Sequence, residues 1–305
     1  MGKTFEQKRH DNLQKMAADL LREQNPFTNV GVIEKFFALD RRRGDSIHRK
    51  RLNQGRYINM MEKYVAKKTL MTYQTDRYGN MRPLMLMNEL QALADNHAES
   101  IGCGRTFCIE NGIAWVVTHY LVDIIELPRE GEEITFYTWP SAHDILKATR
   151  DFEIRGSDGR LMVRATSQWI VIDLEKRRPM KLDGLPHWDL ITDRAYDRTF
   201  EKFPDFEIEK SHTMKCRYDD VDVNQHINNA VYAVWATESV GFNFRNSHKL
   251  RGIELNFKKE VSANTPEVKV DVLMDGMMSR HKITTDGVEN CNVICRWEEN
   301  DIKLP

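Results

Sequence analysis

The sequence predicts an α+β fold made of two consecutive copies of one unit, each a helix wrapped by an antiparallel sheet. Three observations predict it. Residues 69–173 read as strand, turn, helix and four strands, and residues 211–298 repeat that order. Each copy has one run of helical periodicity, and its strand-like runs are punctuated by Gly, Pro and Asp turns. A polar stretch, 174–208, separates the copies and holds Pro179, Pro186 and Pro204.

Residues 1–61 precede the first copy as a basic, partly helical extension. Leu13, Met16, Ala17, Leu20 and Leu21 fall at i, i+3, i+4, i+7 and i+8, an amphipathic helix that Asn25-Pro26 ends. Val32, Ile33, Phe36, Phe37 and Leu39 suggest a second short helix. Residues 1–60 hold 13 Lys and Arg against 7 Asp and Glu, whereas residues 61–305 hold 32 against 39. The head reads as a solvated extension or as an arm for an acidic partner. Its seven acids disfavour a transit peptide.

The first copy spans 62–178, with a linker at 179–208 and the second copy at 209–300. In the first, 69–75 is expected as a strand leading into the turn Asp76-Arg-Tyr-Gly-Asn80. A helix over 84–101 follows Pro83, with Leu86, Leu90, Leu93, Ala94 and His97 on one face, and Gly102 and Gly104 stop it. Strands are expected at 112–122, 132–140, 148–155 and 161–173. In the second, the strand 211–218 leads through a polar loop to a helix over 229–240. Strands are then expected at 251–259, 266–275, 279–286 and 290–298.

The loop of the second copy concentrates Asp219, Asp220, Asp222, Asn224, His226, Asn228 and Asn229 immediately before its helix. Carboxylate, amide and imidazole thus sit beside unpaired helix N–H groups and the positive end of the dipole, a setting that stabilises an oxyanion. The same residues are ordinary caps and turn formers, and on residues alone the loop reads equally as a capped turn or an active site. Calcium is excluded: a calcium loop begun at Asp220 would put Gln225 at its glycine and Val231 at its closing glutamate. The corresponding turn of the first copy has no His and has a proline at the helix start. The chemistry is therefore expected in copy two, with copy one supplying binding surface.

Composition excludes other classes. The five cysteines form no Cys-x-x-Cys pair, which argues against a disulfide framework or structural zinc and suits a reducing compartment. His97, His119 and His143 lack acidic or Cys partners at ligand spacing and read as structural or surface residues. No apolar run approaches the ~18 residues of a membrane span. No phosphate loop, zinc pattern or basic body suggests nucleic acid. A soluble cytoplasmic protein without metal or cofactor is expected.

Asp222-Val-Asn-Gln-His-Ile-Asn-Asn229 and the helix that follows, with Ile253-Glu-Leu-Asn-Phe-Lys-Lys-Glu-Val261 downstream, resemble the acyl-acyl carrier protein thioesterases of plant plastids and bacteria. Trp115–Tyr120, Phe136–Ser141, Lys147–Phe152 and Ala165–Ile172 are similar to that family's N-terminal half. The resemblance covers about 62–300. It implies two tandem hotdog domains, named for a helix lying in a curled sheet, packed as a pseudo-dimer. It implies hydrolysis of fatty acyl thioesters on acyl carrier protein, with the acyl chain bound by copy one.

By the same resemblance, Asp222, Asn224, His226 and Glu260 are the catalytic positions. Glu260 is the preferred general base and His226 the alternative. Asn224 would position water or substrate, Asp222 would orient its neighbours, and backbone N–H groups at 227–229 would form the oxyanion hole. Leu90, Leu93, Ala94, His97, Trp115, Asn228 and Asn229 are the implied substrate-binding residues. Many members have Cys after the functional Glu; here Val261 stands there, so direct attack by water is favoured over a covalent intermediate. Lys147, Arg150, Arg155, Arg177 and Arg178 are candidates to meet the acidic carrier protein. The alternatives are an acyl-CoA thioesterase and a non-catalytic acyl-binding protein on the same fold, as a monomer or a homodimer.

Overall fold

The computed structural model describes residues 62–300. The two helices expected in the basic head lie outside the described residues. Copy one runs β1 (Tyr64–Thr69), α1 (Pro83–Ser100), α2 (Arg105–Asn111), β2 (Ile113–Ile124), β3 (Glu133–His143), β4 (Lys147–Gly156) and β5 (Leu161–Asp173). The short strand β6 (Arg178–Met180) pairs with β5. Copy two runs β7 (Lys210–Lys215), α3 (Asn229–Ser239), α4 (Phe242–Ser247), β8 (His248–Phe257), β9 (Glu267–Asp275), β10 (Met278–Thr285) and β11 (Val288–Glu299).

All strands join one 11-stranded sheet of order β1-β3-β4-β5-β2-β8-β11-β10-β9-β7, with β6 to the side. The order is a palindrome: β7 takes the place of β1, and β8 to β11 take the places of β2 to β5. The axis of this pseudo-symmetry passes between β2 and β8. These pair antiparallel from His119 opposite Asn256 to Asp123 opposite Gly252. Each copy thereby closes its partner's open edge. A Cβ at Gly252 would meet the Arg296 guanidinium, so a side chain there would have to displace it. Arg296 in turn reaches the Asp123 carboxylate at 2.8 Å, and Arg164 reaches its other oxygen at 2.9 Å.

The helices lie inside the curl, as the hotdog arrangement requires. Pro83 opens α1 at the position where its missing N–H costs nothing. Leu86, Met87, Leu90, Leu93, Ala94 and His97 form its buried stripe. Gly102, at φ +78°, ends the helix by returning its N–H to Glu99 O. α3 is buried on nearly every side, through Ala230, Val231, Tyr232, Ala233, Trp235 and Ala236, because it lies between the sheet and α1. One continuous apolar core unites the copies, running from Leu90, Phe152 and Ile154 to Val231, Val270 and Ile283.

Several elements differ from the sequence expectation. The first strand is 64–69, not 69–75; Thr72–Gln74 is a 3-10 turn. In the same way β7 ends at Lys215 and Tyr218–Asp220 is 3-10. α2 and α4 were not anticipated. The polar stretch between the copies is mostly irregular but is pinned to the sheet. Trp139 Nε1 donates to Asp193 O, and the wholly buried Asp151 accepts from Arg194 Nε at 2.8 Å and Ala195 N at 2.9 Å.

Two buried histidines make the fold acid-sensitive. His97 stacks on Tyr64, and its Nδ1 accepts from Arg150 at 2.7 Å. Burial, then the Arg150 charge, pushes its pKa down to about 4. His281 sits between the Ser239 and Ser279 hydroxyls, and burial, then His212, pushes it down to about 3. In the unfolded chain both titrate near ~6.5. Below that pH the unfolded state binds protons that the fold refuses, so stability falls as pH drops through this window. We expect unfolding free energy, measured by urea titration, to fall from pH 6.5 to 4 by up to about 1.4 kcal/mol per pH unit for each histidine. His281→Gln should flatten the slope; an unchanged slope would contradict the assignment.

Candidate active site

The loop before α3 is a hairpin-like turn whose twin precedes α1. Asp222 N donates to His226 O at 2.8 Å, and Gln225 N to Asp222 O at 3.1 Å. In copy one Asp76 N donates to Asn80 O at 2.8 Å, and Gly79 N to Asp76 O at 3.0 Å. Both carboxylates fold back on their own loops. Asp222 Oδ1 accepts from Asn224 N at 2.8 Å and His226 N at 3.5 Å; Asp76 Oδ1 accepts from Tyr78 N at 2.8 Å and Asn80 N at 3.0 Å. This is an Asx turn, which shapes the loop without water or ligand. Asp222 thus holds the loop in its folded-back shape.

What the loop presents differs between the copies. His226 occupies the place of Asn80. Ile227 N donates to Val261 O at 2.9 Å as Met81 N donates to Pro128 O at 2.8 Å, which sets Glu260 where copy one has Leu127. The imidazole and the carboxylate meet, His226 Nε2 to Glu260 Oε2, at 3.3 Å. Their side chains are 40% and 55% exposed, so bulk water reaches both. Lys258 pairs with Glu289, not with Glu260.

Asn290, which the sequence did not single out, holds the Glu260 segment. It is 1% exposed, and its Nδ2 donates to Lys259 O at 3.2 Å and Glu260 O at 3.5 Å. Its backbone oxygen accepts from Lys258 N and Lys259 N. Tyr232 on α3 adds its hydroxyl, which accepts from Val261 N at 3.1 Å. These contacts fix Glu260 from below and leave its carboxylate outward. Asn224 is exposed, and its amide approaches Asp222 Oδ2 at 3.4 Å.

The expected oxyanion hole over 227–229 is corrected by the hydrogen bonds. Ile227 N–H is consumed by Val261 O, and Asn228 N–H donates to Asp220 O at 2.8 Å. Asn228 is the N-cap of α3: its Oδ1 accepts from Ala230 N at 2.8 Å, and its carbonyl accepts from Val231 N. Of the three expected donors, only the Asn229 N–H has no acceptor among the described residues.

The other expected binding residues are on copy one. Leu90, Leu93 and Ala94 are packed in the core of copy one, with His97 held as described. Trp115 is half-buried, its indole donating to Cys103 O at 2.9 Å and its ring edge-on to Trp188. A groove of about 320 Å³ lies along α3 and β7, lined by Met214, Val231, Val234 and Trp235 with Lys215, Arg217 and Glu238. Burial pushes the Cys216 thiol up to about 11, so the cysteine nearest the loop in sequence is no activated nucleophile. Val261 is buried, with no reactive group to offer.

Comparison with known proteins follows this geometry. The model of the acyl-ACP thioesterase N-terminal domain matches residues 61–184, and that of the C-terminal domain matches 205–299. The chain is 25% identical over 223 residues to oleoyl-acyl carrier protein thioesterase 1, chloroplastic, of Arabidopsis thaliana, covering 67% of this chain and 60% of that protein. It is 28% identical over 231 residues to palmitoyl-acyl carrier protein thioesterase, chloroplastic, of Gossypium hirsutum, covering 70% and 55%. The chain thus spans less than two thirds of the length of these relatives. The 12:0-ACP thioesterase structure from Umbellularia californica matches with a TM-score of 0.67 at 21% identity, over 78% of this chain and 98% of that one, a likeness of fold.

One strained residue in the loop is testable. Gln225 has φ +62°, where its twin is Gly79 at φ +77°. A non-glycine residue there costs about 1 kcal/mol, partly offset by the greater entropy of an unfolded glycine. Gln225→Gly should raise unfolding free energy by about 0.5 kcal/mol; a loss of stability would mean that the Gln225 side chain makes a contact worth more than its strain.

Proposed function

We infer this chain's reaction from the family to which it belongs, the acyl-ACP thioesterases, and from the pairing of His226 with Glu260 in copy two. The reaction is hydrolysis of a fatty acyl thioester carried on the phosphopantetheine arm of acyl carrier protein. Copy two is the catalytic half, and copy one supplies the surface for the acyl chain.

Glu260 takes a proton from water, and the water oxygen adds to the thioester carbonyl carbon. The carbonyl pair moves onto oxygen, then returns as the C–S bond breaks and the pantetheine thiolate leaves. His226, 3.3 Å from Glu260, holds the carboxylate and can carry the proton onward to the departing sulfur. Asp222 keeps the loop in the shape that brings the imidazole to Glu260. Asn224, exposed at the loop tip, can hold the water or the substrate through its amide. A general base of this kind contributes about 10²–10⁴-fold. Thiolate is a good leaving group, so no nucleophilic cysteine is required, in keeping with Val261 beside Glu260.

The observation that carries the reading is the asymmetry of the twin loops. Both have the same backbone hydrogen bonds, yet only copy two sets an imidazole against a carboxylate there. A purely structural turn has no need of that difference.

The test is free-thiol release from a panel of acyl-acyl carrier proteins and matching acyl-CoAs. Turnover of the carrier-bound substrates is expected. Glu260→Gln should lower kcat by about 10²–10⁴-fold, and Asp222→Ala should lower it by disordering the loop. Turnover of CoA esters alone would move the substrate class to acyl-CoA. No release from any substrate would leave an acyl-binding protein.

A further inference from the structure

We propose that Asn88, on the helix of copy one, supplies the second donor of the oxyanion hole, opposite the backbone N–H of Asn229. The proposal rests on the thioester-hydrolysis reading and adds to it a catalytic residue from the other half of the chain.

The loop backbone spends Ile227 N–H and Asn228 N–H on its own structure and leaves Asn229 N–H without an acceptor. One donor stabilises an oxyanion poorly, because a tetrahedral oxyanion offers lone pairs to two or three. The second must come from a side chain close to the start of α3. Asn88 is such a side chain. It is half-buried on the second turn of α1 and makes a direct contact with Asn228.

Which edge of Asn88 faces outward follows from a chain of fixed choices. Asn228 Oδ1 accepts from Ala230 N at 2.8 Å, and only an oxygen can do that. The other edge of Asn228 is therefore its NH₂. That NH₂ meets Asn88 at 3.2 Å, so Asn88 must present its oxygen to it. The Asn88 NH₂ is thereby turned away from Asn228, and no acceptor is bonded to it among the described residues. The helix cap thus fixes Asn228, and Asn228 fixes Asn88. Two donors result, the Asn229 N–H on the first turn of α3 and the Asn88 amide beside the cap. The positive end of the α3 dipole adds to both.

The pseudo-symmetry provides an internal control. The copy-one counterpart of Asn229 is Pro83, which has no N–H. The counterpart of Asn228 is Arg82, and the counterpart of Asn88, at the same position within α3, is Val234. At the copy-one loop, which also lacks the imidazole–carboxylate pair, both donors are therefore missing. The oxyanion donors and the base thus converge on the copy-two loop, Asn88 reaching it from copy one, and their counterparts are absent together at the copy-one loop.

The step balances without further reagents. The water oxygen bonds to the carbonyl carbon as its proton passes to Glu260, the carbonyl pair moves onto oxygen between Asn88 Nδ2 and Asn229 N, and collapse expels the thiolate.

Two variants test this. Asn88→Asp keeps an oxygen for Asn228 and removes the donor. Asn229→Pro deletes the N–H together with the side-chain amide, for which Asn229→Ala is the control; the proline copies Pro83, and proline is favoured at the first helical position. Asn228 already has φ −55° and ψ 133°, which a following proline accepts. Both should lower kcat for the carrier-bound substrate by about 10²–10³-fold, with KM changed only a few-fold. A merely structural role would lower the melting temperature and leave the kcat of the folded fraction intact. Wild type and Glu260→Gln are run beside them. A silent wild type would sink the reaction reading, and the proposal with it. An active wild type with a dead Glu260→Gln, but folded Asn88→Asp and Asn229→Pro within threefold of wild-type kcat, would overturn the proposal alone. If Asn88→Asp does not fold, Asn229→Pro and Asn88→Ser, which keeps one donor, decide: a large loss with proline and a smaller one with serine are expected, and full activity in both would overturn it.

Discussion

The pairing of β2 with β8 is the constraint from which the rest of the molecule follows. Two sheets that each end in an unpaired strand have exposed edges, and antiparallel pairing removes both at once. The pairing also dictates where the helices go. Because the axis passes between β2 and β8, α1 and α3 are brought side by side inside one core. The start of α3 then meets the middle of α1, and Asn228 touches Asn88 across the two halves. At Gly252 the Arg296 guanidinium takes the space a side chain would use. The charges there are satisfied by one carboxylate shared between Arg164 and Arg296. Burial alone would raise the pKa of Asp123, but its hydrogen bonds to the two guanidinium groups outweigh that, and the carboxyl is held below its ordinary range.

The two copies show one loop shape carrying different side chains. The Asx turn made by Asp76 works with no catalytic neighbour, so the turn itself is a structural device. Copy two retains it through Asp222 and changes what surrounds it. Asn80 is answered by His226, Leu127 by Glu260 and Pro83 by Asn229. The supporting contacts come from buried groups, Asn290 and Tyr232, that need not move during a reaction. A carboxylate on an exposed strand end becomes useful when such a foundation aims it.

Much of this was legible in the sequence because it is local. The α1 stripe, the proline at its start and the glycine at its end state the helix almost without tertiary context. The alternating runs state the strands, and their repetition states two copies. The cluster from Asp222 to Asn229 marked the site, and Glu260 entered only through the family resemblance, since Lys258 and Lys259 beside it read as a solvated surface. What stayed hidden depends on contacts between distant residues. Asn88 in mid-helix carries no local signal. Asn290 is one polar residue on a strand until the fold sets it under Glu260. The turn residues Leu70 and Met71 look like strand, whereas the true edge strand alternates weakly because one face is solvated. α2, at 7 residues, is too short for its periodicity to show. The fate of the N–H groups at 227–229 required the whole hydrogen-bond network.

The central claim is that two loops of equal shape divide the work unequally, with the reacting carbonyl held only at the copy-two loop. The most direct measurement is a crystal structure with an unreactive amide analogue of the acyl-pantetheine thioester. The account predicts the amide oxygen within about 3 Å of Asn229 N, with Glu260 facing the carbonyl carbon through a water. An analogue seated instead at the copy-one turn, against Asp76–Pro83, would contradict it.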